Sequence, residues 1–311
     1  MLSQRYLFIA GFLLAGSPLW AQNLPVGSVS ASWLNLASSA RIEGLGDAYV
    51  ALADHVDALG VNPAGLGRLQ GPELALTHDS YIQGADIEQV MGSFGVGQGN
   101  LALGLSYENF GTVQSFTVSG GTPVATGSFQ PSVWRLDVGY GFALGSDLFA
   151  GAAGKIFTDN LDGNETRGAA GDLGALWIPN GGGLNLGFSI LNIGALDGEA
   201  IPTEARGGAA YSLSIPDGAN SPADKFTLSL DGLAQVNDIN AARVALGAEY
   251  WYHQAIALRV GQQLMDTGGL SGWSGFSAGM SFRFSAVQLD YAFATRGDLG
   301  NLNIFSFLAG L

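Results

Sequence analysis

Hydrophobic side chains recur at every second position along most of this chain, from Pro72 to the C-terminus. Between residues 275 and 285, one parity is mostly large and apolar and the other small or polar: Phe276, Ala278, Met280, Phe282 and Phe284 alternate with Ser277, Gly279, Ser281, Arg283 and Ser285. A period of two is typical of a β-strand with two different faces, because a helix of period 3.6 would mix the two sets. The alternation therefore predicts an all-β protein.

The composition indicates which environment surrounds each face of the predicted strands. Hydrophobic residues make up 47 % of the chain, charged residues 12 %, and mean hydropathy is +0.25. No segment after residue 21 offers the roughly 20 apolar residues of a spanning helix. A soluble β-sandwich is the alternative, but its polar face would carry many charges, whereas here that face carries glycine, alanine and serine with isolated charges. An apolar chain with 48 glycines among 311 residues and no spanning helix favours a closed transmembrane β-barrel.

Charge and cysteine content exclude other classes of protein. The chain has 12 Lys and Arg against 26 Asp and Glu, for a net charge of −14. Such an acidic chain lacks the basic surface that neutralises phosphates, so we expect no nucleic-acid partner. The chain has no cysteine, which excludes disulfides and thiolate chemistry and fits an oxidising compartment.

Counting the alternating segments between turn signals predicts fourteen strands, an even number as in bacterial barrels. They lie near residues 72–82, 85–97, 100–110, 131–143, 147–158, 166–178, 183–192, 204–215, 224–235, 241–252, 255–264, 273–284, 286–295 and 301–311. Tight turns alternate with longer loops, the latter predicted at 111–130, 159–165, 193–203, 236–240 and 265–272. We therefore predict a transmembrane antiparallel β-barrel over residues 71–311, with its short turns on the periplasmic side.

Residues 1–21 are typical of a secretory signal peptide. Arg5 precedes an apolar stretch, Pro18 interrupts it, and Ala21 offers a small residue before the predicted cleavage site. An uncleaved N-terminal anchor helix is the alternative. Export of a cysteine-free, strand-rich chain predicts the outer membrane of a double-membraned bacterium, where membrane lipid is the first partner.

Isolated charges on the small-residue parity of the strands are predicted to face the barrel lumen. On the lipid-facing parity they would be costly, whereas a crowded polar lumen can pair them. These predicted lumen-facing charges are Arg135, Asp137, Asp172, Arg206, Lys225, Asp231, Arg243, Glu249, Arg259, Arg283 and Asp290.

Residues 22–70 do not alternate, yet they are rich in leucine, valine and tyrosine. A barrel of fourteen strands spaced by about 4.8 Å and tilted by about 40° has a radius of roughly 14 Å. Wall side chains alone cannot fill such a lumen. The segment is therefore predicted to plug the lumen from the periplasmic side, and a disordered periplasmic tail is the alternative.

Two parts of the chain resemble a known family. One stretch reads Ala40-Arg41-x-x-Gly44-x-Gly46-x-Ala48-Tyr49-Val50-Ala51-x-Ala53-Asp54 and is followed by Asn62-Pro63-Ala64-Gly65-Leu66. It resembles the N-terminal signature of the PorV/PorQ outer-membrane proteins, which belong to the FadL superfamily of fourteen-stranded barrels. The C-terminal run from Leu289 to Gly300 resembles that family's last hairpin, whereas His55 and Leu311 depart from its pattern. The resemblance implies a plug motif made of Arg41, Gly44, Gly46, Asp54, Asn62, Pro63, Ala64 and Gly65.

Candidate catalytic and metal-binding residues are few. Three histidines and no cysteine give no transition-metal site. The best local cluster for nucleophilic catalysis is His78-Asp79-Ser80, in which His78 and Ser80 share a strand face and Asp79 does not. The run 151–156 lacks the spacing and the hydroxyl of a phosphate-binding loop. We therefore expect no enzyme, no cofactor and no metal.

The resemblance implies two functions that the sequence does not separate. One is binding or passing small hydrophobic molecules across the outer membrane, as in FadL-type barrels. The other is an accessory role in type IX protein secretion, in which a PorV-like barrel binds the translocon or its cargo. An open porin would need a lumen clear of the plug. The expected partners are outer-membrane lipid and either a hydrophobic small molecule or secretion-system proteins.

Overall fold

The computed structural model describes residues 30–179, 183–216, 222–236, 242–264 and 274–311 of the chain. The predicted signal peptide, the predicted loop 265–272 and most of the predicted loop 236–240 lie outside these described residues.

Seventeen strands are present in the described residues, all paired antiparallel. They are β1 (Glu73–Ser80), β2 (Asp86–Val96), β3 (Gly99–Asn109), β4 (Val113–Ser119), β5 (Thr122–Phe129), β6 (Ser132–Ala143), β7 (Leu148–Leu161), β8 (Asn164–Trp177), β9 (Leu184–Leu196), β10 (Glu199–Ala200), β11 (Glu204–Ile215), β12 (Asp224–Gln235), β13 (Arg243–Tyr252), β14 (Ile256–Leu264), β15 (Ser274–Phe284), β16 (Val287–Arg296) and β17 (Asn301–Gly310). All except β4 and β5 belong to one sheet, in which the short β10 pairs only with β9 and the other fourteen strands form a ring closed where β17 pairs with β1. The fold class is confirmed, and each of the fourteen predicted segments corresponds to one barrel strand.

The barrel has two unlike ends. One end carries tight connections such as 97–98 and 285–286, and we call it the turn end. The first strand begins there and the last strand ends there. The opposite end, the loop end, carries the hairpin of β4 and β5 within the predicted loop 111–130. The prediction of a loop at 159–165 was wrong. β7 and β8 continue to Asp162 and Gly163, which form a two-residue turn with positive φ of 53° and 79°, as Asp-Gly favours.

Side chains alternate strictly between the two faces of the wall. On β6, Trp134 is 51 % exposed and Arg135 only 7 %; on β15, Phe282 is exposed and Ser281 is fully buried. Large apolar side chains therefore form the outer surface, and polar side chains point into the lumen, as expected where lipid surrounds a barrel.

The residues from 30 to 70, here called the N-terminal segment, pack against the inner face of the wall. The segment contains a short helix α1 (Ala40–Gly44) and three 3-10 turns, Ser32–Asn35, Val56–Gly60 and Pro63–Arg68. α1 contacts β14 to β17, whereas the turn from Pro63 contacts β6 to β8 on the other side of the ring. The segment therefore crosses the lumen. No helix within the described ranges is long and apolar enough to cross a membrane.

We predict that a charge on the outer wall destabilises the barrel, whereas the same charge on the loop-end hairpin does not. Leu230→Arg in the middle of β12 should lower the free energy of unfolding by about 2–4 kcal/mol, because Leu230 is exposed on the outer wall near the bilayer midplane. Phe116→Arg on β4 is the matched control, because Phe116 is also exposed but lies outside the barrel strands. Urea titration followed by heat-modifiable gel mobility measures both. Equal destabilisation of the two variants would contradict the assignment of faces.

Candidate functional site

The N-terminal segment reaches from one end of the barrel to the other. At its start, the Ser30 N–H donates to the Ala200 carbonyl in the loop-end connection at 3.1 Å. The C-terminal end of the segment joins β1 at the turn end. The sequence analysis placed the segment on the turn-end side of the lumen only; in the structure its first residues lie at the loop end instead. Sequence periodicity carries no signal for such a path, because the contacts that fix it are made with distant strands.

An apolar cluster fills the lumen at the loop end. The indole of Trp33 meets the ring of Phe157 edge to face, with 5.2 Å between ring centroids. Around this pair the segment, the wall strands and the loop after β9 contribute buried side chains: Ala31, Trp33, Leu34, Val133, Phe157, Ala170, Leu196 and Ile201. We call this set the loop-end cluster. Its side chains are all buried and pack against one another directly beneath the loops.

Glycines of the wall form the seat of the segment's central part. A β-carbon at Gly151 would overlap the backbone of Pro63, one at Gly187 would overlap Val50, and one at Gly261 would overlap Gly46. Only glycine allows two backbones to approach this closely. The central part of the segment, from about residue 44 to 66, is therefore fitted tightly to the wall, unlike its first residues.

The residues of the predicted plug motif lie at the contacts that fix this central part. Asn62 is fully buried, accepts from the Ala64 N–H, and donates from Nδ2 to the carbonyls of Val50 and Ala175 at 2.9 and 3.1 Å. Pro63 begins the 3-10 turn that Asn62 caps, in the position proline favours. The glycines of the motif allow close packing: Gly44 against Gly279, Gly46 (φ 64°) against Gln262, and Gly65 against Ala53.

Arg41 is the charged centre of the segment. Its Nε donates to Glu249 Oε2 at 2.9 Å, and its Nη1 donates to Asp54 Oδ1. Burial disfavours the Asp54 carboxylate, but the Arg41 guanidinium more than offsets this and holds the pKa of Asp54 well below its usual value. Removing one partner of a buried pair leaves an uncompensated charge, so these groups fix the segment to β13.

The structure gathers most of the predicted lumen charges into ion pairs. Arg259 bridges Glu249 and Asp290, Arg206 contacts Asp47 and Glu204, Arg243 also contacts Glu204, Arg135 contacts Asp137, Asp172 contacts Lys155, and Asp231 accepts from the Val50 N–H. The sequence analysis did not select several of these partners, namely Glu43, which pairs with Arg296, and Asp47, Glu108, Lys155 and Glu204. Lys155 and Glu204 lie on the small-residue parity of their strands, so the alternation could have found them.

Arg283 and Lys225 form no ion pair within the described residues, and neither does Asp231, whose partner is the Val50 N–H. Arg283 Nε donates to Gln288 Oε1 at 2.9 Å, and the guanidinium stacks on Trp251, 4.2 Å from the ring centroid. Lys225 lies nearby at the turn end. Both line a polar cavity of about 350 Å³ together with Arg41, Asp54, His55, Trp251 and Gln254. Within the described ranges, no three His, Asp or Glu side chains converge as metal ligands.

His55 joins the segment to the first strand. Its Nδ1 lies 3.0 Å from Glu73 Oε1, and the Val56 N–H donates to Glu73 Oε2 at 2.8 Å. Burial lowers the pKa of the imidazole, but the hydrogen bond to Glu73 and the charge of Asp54 more than offset this. The pKa of His55 is therefore raised above its usual value.

Comparison with known proteins supports the architecture. A model of an uncharacterised protein family, UPF0164, matches residues 21–142. No protein of curated function matches the sequence. The toluene transporter TodX of Pseudomonas putida superposes with a TM-score of 0.55 at 12 % identity, covering 87 % of this chain and 96 % of that chain. The monoaromatic hydrocarbon channel CymD superposes with a TM-score of 0.55 at 14 % identity, covering 88 % and 97 %.

At these identities the similarity shows a shared fold. The chain has the architecture of outer-membrane hydrocarbon channels, and the barrel part of the FadL-type resemblance agrees with it. The PorV/PorQ assignment is not confirmed and stays a prediction.

We predict that a methyl group at Gly151 displaces the segment from its seat. Gly151→Ala should increase hydrogen exchange of the backbone amides around Pro63, because the added β-carbon overlaps the Pro63 carbonyl. Gly154→Ala on the same strand is the matched control, since nothing lies within 4 Å of that position. An equal rise in exchange in both variants would show that the close approach of Gly151 to Pro63 does not hold the segment in place.

We predict that the attachment of the segment weakens at alkaline pH. A raised pKa means that the stability contributed by His55 is complete below the unfolded value of about 6.5 and is lost as pH rises through the folded value. Hydrogen exchange around Val56, corrected for its intrinsic pH dependence, should therefore increase as pH rises above about 6.5. His55→Gln should remove this dependence. An unchanged pH response in that variant would refute the assignment to His55.

Proposed function

We propose that the protein is an outer-membrane barrel through which small hydrophobic molecules pass, with the N-terminal segment as its plug. The observation that carries this proposal is the loop-end cluster, an apolar set of side chains directly beneath the loops, where a molecule from outside would enter the barrel. The proposal places the loop end at the outside of the cell and the turn end in the periplasm. The shared fold with channels described for toluene and for monoaromatic hydrocarbons supports the same class of substrate.

The proposal assigns different roles to the two parts of the segment. The central part is held by Arg41 and by the wall glycines, so moving it would break buried ion pairs at a cost of several kcal/mol. The first residues are held mainly by apolar contacts, with hydrogen bonds from the Ser30 N–H to Ala200 and from Asn192 Nδ2 to Asn35 Oδ1. An apolar molecule can replace such contacts with its own. We infer that entry displaces only the first residues, near Trp33.

A secretion-accessory role is the second candidate. One feature favours it: the hairpin of β4 and β5 stands outside the barrel and exposes Phe116 and Val118, at 63 and 72 %, with no charged residue between 113 and 129. An exposed apolar hairpin of this kind suits a protein partner. Deleting the hairpin should leave hydrocarbon uptake intact under the first proposal and abolish partner binding under the second.

An engineered disulfide tests whether the start of the segment must move. The chain has no cysteine, so Ser30→Cys with Ala200→Cys introduces one pair, at residues joined by a 3.1 Å backbone hydrogen bond. We predict that oxidation stops toluene uptake into proteoliposomes and that a reductant restores it. The control pair, His55→Cys with Glu73→Cys, ties the part that stays seated and should leave uptake unchanged. Uptake that survives oxidation of the first pair would overturn the proposed route.

A further inference from the structure

A second polar cluster lies on the outer wall, away from the lumen. His78 and Ser80 face outward on β1, and Glu88 on β2 is the register partner of His78. His78 Nε2 lies 3.2 Å from Ser80 Oγ, and His78 Nδ1 lies 2.7 Å from Glu88 Oε1. The imidazole therefore stands between a hydroxyl and a carboxylate, with one ring nitrogen directed at each.

This connectivity is that of a nucleophilic triad. In such a triad the histidine nitrogen nearest the serine takes its proton, and a carboxylate at the other nitrogen fixes the tautomer and stabilises the imidazolium. The sequence analysis found His78 and Ser80 on one face but had no carboxylate for them, because Asp79 points into the lumen. Glu88 is ten residues away and is brought to His78 only by the pairing of β1 with β2.

A hydrogen-bond donor stands on the other side of the serine. Asn303 on β17 is the register partner of Ser80. The Tyr291 hydroxyl lies 2.8 Å from Asn303 Oδ1, and no described residue accepts a hydrogen bond from Asn303 Nδ2. Facing residues have β-carbons about 4.5–5.5 Å apart, so this amide is within reach of an oxygen that develops charge on an ester attacked by Ser80.

An apolar groove runs from the triad toward the turn end. Its cavity of about 530 Å³ begins at His78 and Glu88 and continues along outward-facing apolar side chains, among them Leu76, Val90, Phe282, Leu289, Phe305 and Phe307. Along β1 toward the loop end, the outward-facing residues change from Leu74 and Leu76 to His78 and Ser80. The cluster therefore lies where an apolar wall meets a polar rim, which is where a membrane lipid places its ester groups above its acyl chains.

We propose that this site hydrolyses acyl esters of membrane lipids, with the acyl chain in the groove. Ser80 Oγ attacks the ester carbonyl while His78 Nε2 takes its proton, and Asn303 Nδ2 donates to the resulting oxyanion. The intermediate collapses by breaking the ester C–O bond, and the leaving alcohol takes the proton from His78. Water, deprotonated by His78, then attacks the acyl-serine and releases the fatty acid and the free hydroxyl.

The proposal departs from the expectation that the chain is no enzyme, and it does not depend on passage through the lumen. Ser80 and His78 are the catalytic residues, because they touch the reacting atoms. Glu88 is a positioning residue that acts through His78. The occupant of the groove is a lipid acyl chain because the groove opens on the lipid-facing wall.

The decisive experiment uses the full chain refolded from inclusion bodies into detergent micelles, which removes host lipases, with folding checked by heat-modifiable mobility. Wild-type protein should release fatty acid from phosphatidylcholine in mixed micelles, and a fluorophosphonate should label it once, at Ser80. Ser80→Ala and His78→Asn should each lower turnover at least about a hundredfold. Ser119→Ala, an exposed serine on the hairpin, is the matched control and should change nothing.

Two further variants separate chemistry from structure. Glu88→Gln should lower kcat and the labelling rate with little change in KM, and Glu88→Asp should restore part of both. Val90→Trp should fill the groove and lower turnover of long-chain esters more than that of butyrate esters. A folded wild-type barrel that neither releases fatty acid nor takes the label would overturn the proposal. Equal turnover in Ser80→Ala and wild type would do so as well.

Discussion

Closure of the sheet between β1 and β17 is the constraint on which the rest of this structure depends. A membrane offers no partner for open backbone groups, so the ladder has to return to its first strand. Closing fourteen strands creates a lumen too wide for wall side chains to fill. The polar inward face, the ion pairs and the N-terminal segment together fill this lumen.

Three kinds of contact fill the lumen, and one of them is a large apolar cluster that packs the central part of the segment, including Leu45 and Leu59, against the wall. Ion pairs such as Arg41 with Glu249 satisfy charges that would be costly if left buried alone. Glycines such as Gly151 let the backbone of the segment lie against the wall. A second apolar cluster, the loop-end cluster around Trp33, packs the first residues of the segment at the other end of the lumen. Under the proposed function, the central part of the segment stays in place and its first residues are displaced.

The sequence predicts the wall far better than its contents. Period-two alternation identifies every barrel strand, because successive side chains of a strand point to opposite faces of the wall. The hairpin at Asp162-Gly163 was missed although Asp-Gly is a local turn signal. The pairing of Arg41 with Glu249 joins residues 208 positions apart, and that of His78 with Glu88 depends on strand register. No local pattern encodes such contacts, so the path of the segment and the outer-wall triad required the structure.

The enclosure of the N-terminal segment also has a consequence for how the chain folds. The strands that close the ring are the first and the last of the barrel, so the final seam forms only when the C-terminal strand is in place. A segment threaded through the lumen has to be inside before that seam closes, since its ion pairs reach β11, β13 and β16 while its turn from Pro63 contacts β6 to β8 on the other side of the ring. The segment thus becomes an internal template around which the wall is assembled, and joining residues so distant in sequence makes ring closure the expected slow step.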